Sequence, residues 1–313
     1  MERDWVGYER DLNARKRKVA DFFLVGPTRG QLEDELHRMN EGKEGPPFQI
    51  PKTIILYFHF FKQRTGMDDR LLVMFLSGFM AKTMGTSKEF CHSAIVRRRQ
   101  KMDLDIPFDI KPGSLDGKTL YLDGMCLRVG RGGYYCSKRY HTEVKYLRIM
   151  LFTDDSDKVV DFVIGDENDA EVNLAREKMP QIKESKAKAM VGDGAFAAHD
   201  IVSDLEQNNI KAIIRASEPT VASMDTKPPP NLWMKEGKIE DRIWDQFARA
   251  QTDYQKWRKE TGYSMRWPHS EGRISAFKRM HGEAVVSRTQ KALHDEVAAK
   301  LMLLDGVMPC FWA

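Results

Sequence analysis

Cysteine is scarce in this sequence: four residues in 313, Cys91, Cys126, Cys136 and Cys310, with no paired spacing between them. That excludes a disulfide framework and a zinc ribbon. Long apolar runs are lacking too. The longest, residues 54–61 and 71–80, fall well short of the roughly 20 residues that span a bilayer, so no membrane segment is expected. Gly130-Arg131-Gly132-Gly133 is not followed by Gly-Lys-Ser/Thr or by a helical pattern, which excludes a phosphate loop and favours a hairpin turn. No secretory leader is read at the N-terminus, which opens with Glu2, Arg3 and Asp4, and no internal repeat is visible. With 17 methionines beside unpaired thiols, the expectation is a soluble cytoplasmic protein in a reducing setting.

What the chain does have is length for about two domains and an uneven distribution of charge. Residues 1–102 carry 19 Lys and Arg against 13 Asp and Glu, whereas residues 103–313 carry 31 against 33. A basic front end attached to a carboxylate-rich remainder suits a nucleic-acid partner.

The first 102 residues read as helices. Trp5, Tyr8 and Leu12 recur at helical spacing in a segment over 4–23 that includes Arg15-Lys16-Arg17-Lys18. Further helices are expected over 29–39 and 51–64. Asp68 and Asp69 can cap a helix reaching Lys82, Met84-Gly85 breaks it, and Thr86-Ser87-Lys88-Glu89 has the pattern of a capping box for the next. Phe90, Cys91, Ala94 and Ile95 form a stripe on this next helix, which ends in Arg97-Arg98-Arg99 and Lys101. Helix, short turn and basic helix together suit a helix-turn-helix gripping DNA phosphates, and they equally suit a plain helical hairpin with a basic last turn.

Two prolines and no period mark residues 103–116 as a linker. Strands follow at 119–123 and 126–129, at 134–135, and at 144–152 and 159–164. Asp169 caps a helix ending near Met179, just before Pro180. A strand over 188–193, a helix over 198–208 and a strand over 210–215 complete an early antiparallel meander with later parallel pairing. Residues 216–242, with Pro219 and Pro228-Pro229-Pro230, read as irregular. A polar helix over 243–260 follows. Pro268 fits the first position of a further helix and Gly282 its left-handed stop, which puts Glu271 in the first turn and Lys278 two turns on. A long amphipathic helix closes the domain at Gly306, and residues 307–313 form a tail. The expected fold is α/β, a mixed sheet flanked by helices over 117–306 behind an all-α DNA-binding domain over 1–102.

Asp123 and Asp193 each end an expected strand, the edge where open sheets bind ligands, and Glu271 could join them. Three carboxylates are the hard oxygen donors that Mg²⁺ takes. Strand-end acids are also ordinary turn residues, so position alone leaves both readings open.

Here the sequence resembles the DDE transposases of insertion sequences, which have an RNase H-like core. Tyr263, Arg266, Glu271 and Lys278 resemble the signature Tyr-x2-Arg-x3-Glu-x6-Lys of the branch called insertion sequence four and five. Asp123 in Leu-Asp-Gly and Asp193 in Gly-Asp-Gly-Ala-Phe resemble the family's first and second acids. Four residues, not three, separate Arg266 from Glu271 in this chain. The resemblance implies that Asp123, Asp193 and Glu271 are catalytic and hold two Mg²⁺ ions, with Mn²⁺ able to substitute. The ions would support strand hydrolysis at transposon ends and attack of the freed 3′-hydroxyl on target DNA. It further implies that Lys278, Arg266 and Tyr263 grip end DNA, that Arg97, Arg98 and Arg99 contact the duplex, and that Lys138, Arg139 and Lys145 are candidates for additional backbone contact. The implied partner is double-stranded DNA, terminal inverted repeats and target alike. The protein would act as a homodimer on DNA, cytoplasmic and nucleoid-associated in a prokaryote. His141, His269 and His281 are read as satisfied or exposed side chains and not as ligands. A silent DNA-binding descendant of a transposase and an RNase H-like nuclease without strand transfer are the alternatives.

Overall fold

The computed structural model describes residues 5–86, 90–130, 145–226, 239–287 and 289–308. The chain divides into two compact units, one of Phe108–Ala276 and one of Glu2–Pro107 with Phe277–Ala313. Among the described residues, no helix is long and apolar enough to cross a membrane.

In the Phe108–Ala276 unit five strands run in the order β3-β2-β1-β4-β5. β1 (Thr119–Val129), β2 (Tyr146–Asp154) and β3 (Val159–Asp166) form an antiparallel meander, and β4 (Ala189–Gly192) and β5 (Lys211–Ile214) lie parallel to β1. This is the mixed sheet flanked by helices that the sequence led us to expect. Side chains alternate across the strands, so the sheet buries two faces. Leu120, Leu122, Met150 and Phe152 meet Leu174, Met179 and Ile182 of the helix Glu171–Glu184 and Ile201, Val202 and Leu205 of the helix His199–Gln207. Tyr121, Val191 and Ile213 pack with Trp257 and Tyr263 on the opposite face.

The exposed rim of the edge strand β5 is closed by side chains. Ala212 N–H donates to Glu206 Oε1 at 2.8 Å, Ala216 N–H to Gln251 Oε1 at 2.8 Å, and Gln251 Nε2 donates to the Ile214 carbonyl at 2.9 Å. Groups that would otherwise recruit another strand are thereby satisfied. At the end of β4, a Cβ on Gly192 would stand 2.9 Å from Phe196 Cδ2 and 3.3 Å from Leu122 Cγ, both fully buried. Gly192→Ala is expected to cost about 1–3 kcal/mol by overpacking; a denaturant midpoint at or above wild type would refute that packing argument.

Four expectations need correction. The helix over Glu171–Glu184 contains Pro180 and does not stop before it, because Met179 and Ile182 on either side are both buried in the core. Its N-cap is Ala170; Asp169 instead accepts a hydrogen bond from Asp166 N–H at 2.7 Å. Residues 216–242 are not wholly irregular, since Glu218–Thr226 is helical, and the single helix over 243–260 is two, Ile239–Arg249 and Tyr254–Thr261, the second capped by Asp253. The triple proline at 228–230 and the hairpin residues 131–144 lie outside the described residues.

The other unit contains the helices Trp5–Val25, Arg29–Asn40, Lys52–Thr65, Asp69–Met84, His92–Lys101 and Gln290–Asp305. Thr28 and Gln31 form a reciprocal capping box, Asp68 caps the fourth helix through the N–H groups of Arg70 and Leu71, and Gly85 ends it at φ 66°, a left-handed conformation that glycine adopts without strain. Most of the capping-box pattern expected at 86–89 lies outside the described residues, and Cys91 stands as the N-cap of the fifth helix. The stripe proposed for that helix is only partly inward: Ile95 is buried while Cys91 and Ala94 are exposed. The last helix is more enclosed than an amphipathic one, being buried at every position from Glu296 to Asp305.

Candidate active site

Asp123 does not end its strand. β1 runs six residues past it because β2 continues to pair with β1, up to Arg128 opposite Tyr146, after β4 has stopped pairing. The last parallel pairs between β1 and β4 include Tyr121 opposite Val191. Asp123 and Asp193 therefore each lie two residues beyond the point where the two strands part, at a cleft between parallel strands. Asp193 follows β4 as N-cap of the short 3-10 turn Gly194–Phe196, its Oδ1 accepting from Ala195 N–H at 2.9 Å.

Glu271 reaches the same place from a later element. The helix expected from Pro268 starts differently: a 3-10 turn at Tyr263–Met265 leads into a π turn at Trp267–Glu271, and the α-helix Gly272–His281 begins after it. Gly272 N–H closes the π turn on the Trp267 carbonyl. Gly282, at φ 74°, ends the helix as expected, its N–H donating to the Lys278 carbonyl at 2.8 Å. A π turn holds one residue more than the corresponding α turn. The additional residue between Arg266 and Glu271 is accommodated there, and Arg266 keeps its place beside the acids: one guanidinium nitrogen hydrogen-bonds Glu271 Oε1 and another lies 3.6 Å from Asp123 Oδ2. The same guanidinium sits over the Tyr263 ring, 5.9 Å from its centroid. Tyr263 is buried against Trp257, with ring centroids 5.0 Å apart, and its hydroxyl is pushed to a higher pKa by burial.

Charge is concentrated here. The Asp123 carboxyl is raised to about 6, first by burial and then by the nearby carboxylates of Asp193 and Glu271, against the opposing pull of Arg266 and of the Gly124 N–H. Burial is the main cause of the shift, and the two neighbouring carboxylates add to it while the Arg266 cation offsets part of it.

Residues 115–304, more than half of the chain, match the family described as Transposase DDE domain. The chain belongs to the DDE transposase family. No curated protein matches it.

The donors suit the family's divalent ions in kind, being carboxylate oxygens only. Among the described residues, no three acidic, histidine or cysteine side chains are gathered closely enough to close around one ion; between Asp123 and Glu271 it is the Arg266 cation that makes the bridge. The fit of this transposase domain to a metal is thus one of donor chemistry and charge.

The remaining sequence candidates are dispersed. Lys278 belongs to the other unit, with its Nζ 3.6 Å from Glu283 Oε1. Arg97 is exposed and its Nε bonds the Ser93 carbonyl at 3.1 Å, while Arg98 lies over the Phe48 ring at 4.6 Å. Arg99 is turned inward: its Nη1 meets Asp69 Oδ1 at 2.9 Å, and Lys62 meets the same oxygen at 2.6 Å. Burial would raise the Asp69 carboxyl, but these two cations hold it below the usual range. Lys138, Arg139 and His141 lie outside the described residues, and Lys145 is exposed. His269 is satisfied, as expected, through Asp157, whereas the ring nitrogens of His281 are buried and have no hydrogen-bond partner among the described residues.

Sequence reasoning missed Glu171. Its carboxylate occupies the space where a Cβ on Gly124 would project, Arg148 Nη1 lies 3.6 Å from its Oε1, and burial raises its pKa with a contribution from Asp193. The only signal in the sequence was Gly124 itself, the glycine directly after the first acid.

Proposed function

We propose that this chain is a transposase of the insertion sequence four and five branch that cleaves DNA strands at transposon ends and joins them to target DNA. The observation that supports it best is that Asp123 on β1 feels the carboxylates of Asp193, just past β4, and of Glu271, at the end of the π turn, with Arg266 between Asp123 and Glu271. Asp123, Asp193 and Glu271 would hold two divalent ions, Mg²⁺ or Mn²⁺, which when bound supply a nucleophile active at neutral pH and stabilise the leaving oxygen.

The rest of the chemistry belongs to the chain. Arg266, paired with two acids, has a planar fork suited to two phosphate oxygens of a bound strand, and in that role would exchange a carboxylate for a phosphodiester. The buried Tyr263 ring supports the guanidinium from below and limits where it can point. Lys278 would meet a phosphate as a point charge. In the helical unit, Arg97 and Arg98 are better placed for the duplex than Arg99, which is already engaged by Asp69. Two transposon ends call for two active sites, which suits a homodimer on DNA.

The test is nicking of a duplex carrying the element's terminal inverted repeats. Cleavage that appears with Mg²⁺ or Mn²⁺, vanishes in chelator and vanishes in Asp193→Ala is expected. Activity that persists in either condition would sink the proposal. Joining of the freed 3′ ends to plasmid DNA separates transposition from simple nuclease action.

A further inference from the structure

We propose that His269 is a positioning residue. Seated in a socket made by Asp157, Thr153 and Tyr121, it holds the lengthened Arg266–Glu271 segment in its π turn and so presents Glu271 to Asp123. The role assigned to Glu271 rests on the function proposed above; the socket itself rests on geometry alone.

A π turn has poor intrinsic stability and persists where the surroundings impose it. Here the tie comes from the β2–β3 hairpin, more than 100 residues earlier in the chain. His269 is 7% exposed, and its Nδ1 donates to Asp157 Oδ1 at 2.7 Å. Its ring lies against Tyr121, with centroids 4.5 Å apart, and its carbonyl accepts from Thr153 Oγ1, fully buried, at 2.8 Å. Ser270 adds a bond from its Oγ to the Arg266 carbonyl at 2.9 Å. Two residues away on the same turn, Trp267 is 63% exposed. The turn thus has an exposed side at Trp267 and a buried side at His269 and Ser270, where His269 makes the bonds to the hairpin.

Asp157 holds the other end of this tie from the hairpin turn. It sits in the hairpin turn at φ 57°, one of few non-glycine residues with a positive φ. Asp154 helps to close the turn, its Oδ1 accepting from the N–H groups of Ser156 and Lys158 at 2.9 and 3.1 Å. Glycine would take this conformation with less strain. Aspartate is among the non-glycine residues that take this conformation most readily, and here its carboxylate bonds a histidine two residues before Glu271, which links the hairpin turn to the π turn.

That conformation also supplies a clean variant. Asp157→Gly keeps the turn and removes the tie, whereas His269→Ala empties the socket, and His269→Asn can return a donor near the Nδ1 position. In the whole chain without DNA, both disruptive variants should speed hydrogen exchange over 267–272 about tenfold or more. Both should weaken Mn²⁺ binding by calorimetry by about 10–100-fold, the range typical of lost outer-shell partners. Nicking should lose kcat with KM for DNA nearly unchanged, and His269→Asn should recover much of each loss. Wild-type exchange and Mn²⁺ affinity in Asp157→Gly would overturn the proposal, even if His269→Ala failed to fold. A wild-type chain that neither binds Mn²⁺ nor nicks DNA would instead remove the transposase reading, leaving the exchange measurement to decide the socket.

Discussion

Asp123→Asn should abolish metal-dependent strand cleavage and at the same time make the metal-free protein more stable. If Asp123 holds metal as proposed, the loss of activity is expected to reach about a thousandfold or more, because removing a charged ligand forfeits several kcal/mol of transition-state stabilisation, and each 1.36 kcal/mol is a factor of ten. The gain in stability follows from the raised pKa. An ordinary aspartate titrates near 3.8, and Asp123 in the folded chain near 6. Between those values the folded state binds more protons than the unfolded one, so unfolding free energy falls as pH rises through that window, and the penalty is complete by pH 7. A shift of this size corresponds to about 3 kcal/mol at most. Asparagine carries no charge, still accepts from the Gly124 N–H that now bonds Asp123 Oδ1 at 2.9 Å, and leaves Arg266 bonded to Glu271.

Thermal melting would check this. At pH 7.5 without metal the variant should melt several degrees above wild type, and near pH 4 the gap should close. Added Mg²⁺ should stabilise wild type by mass action and leave the variant unmoved. A variant that melts lower than wild type at pH 7.5 would show that the Asp123 charge does not destabilise the fold, and one that still nicks would show that Asp123 is not a metal ligand.

The parts of the fold legible in the sequence are those decided locally. The alternating residues over 119–123 and the short apolar run within 188–193 need no distant partner to read as strands, and Asp68, Gly85 and Gly282 act on the few residues beside them. The acids could be named because each stands next to such an element. What was not legible depends on contacts distant in sequence. Asp123 lies mid-strand because β2 goes on pairing with β1 after β4 has stopped. Arg99 turns inward because Asp69, 30 residues earlier, is there to receive it. The start of the Glu271 helix was misread for the same reason: Pro268 signals an α-helical first turn, and the π turn that forms instead is tied to the hairpin carrying Asp157. Glu171 went unnoticed because nothing near it in sequence marks it, and only the fold brings it against Gly124.

In the helical unit the largest loss of stability is expected from Glu296→Ala. Glu296 is 1% exposed on the helix Gln290–Asp305. It accepts from Lys300 Nζ at 2.8 Å, from Val286 N–H at 3.1 Å and from Ser287 N–H at 2.9 Å. Burial alone would raise its pKa, but the Lys300 ammonium and the bonds from Lys300 and Ser287 bring it below the ordinary value. Alanine would leave two amide donors without their acceptor and the buried Lys300 ammonium with the Ala284 carbonyl at 2.9 Å as its remaining hydrogen-bond partner. Breaking a buried pair in this way costs about 3–5 kcal/mol. The pH dependence has the opposite sign to that of Asp123. A depressed pKa means that the contribution of Glu296 is present above its unfolded value and is lost as pH falls through the folded one, so wild type and Glu296→Gln should converge in strongly acidic solution. Replacing both partners, Glu296→Met with Lys300→Met, should recover part of the loss, because two buried charges are removed together and only the amide donors stay unpaired. A Glu296→Ala midpoint within about 1 kcal/mol of wild type, the scale of an exposed ion pair, would mean that water reaches this pair.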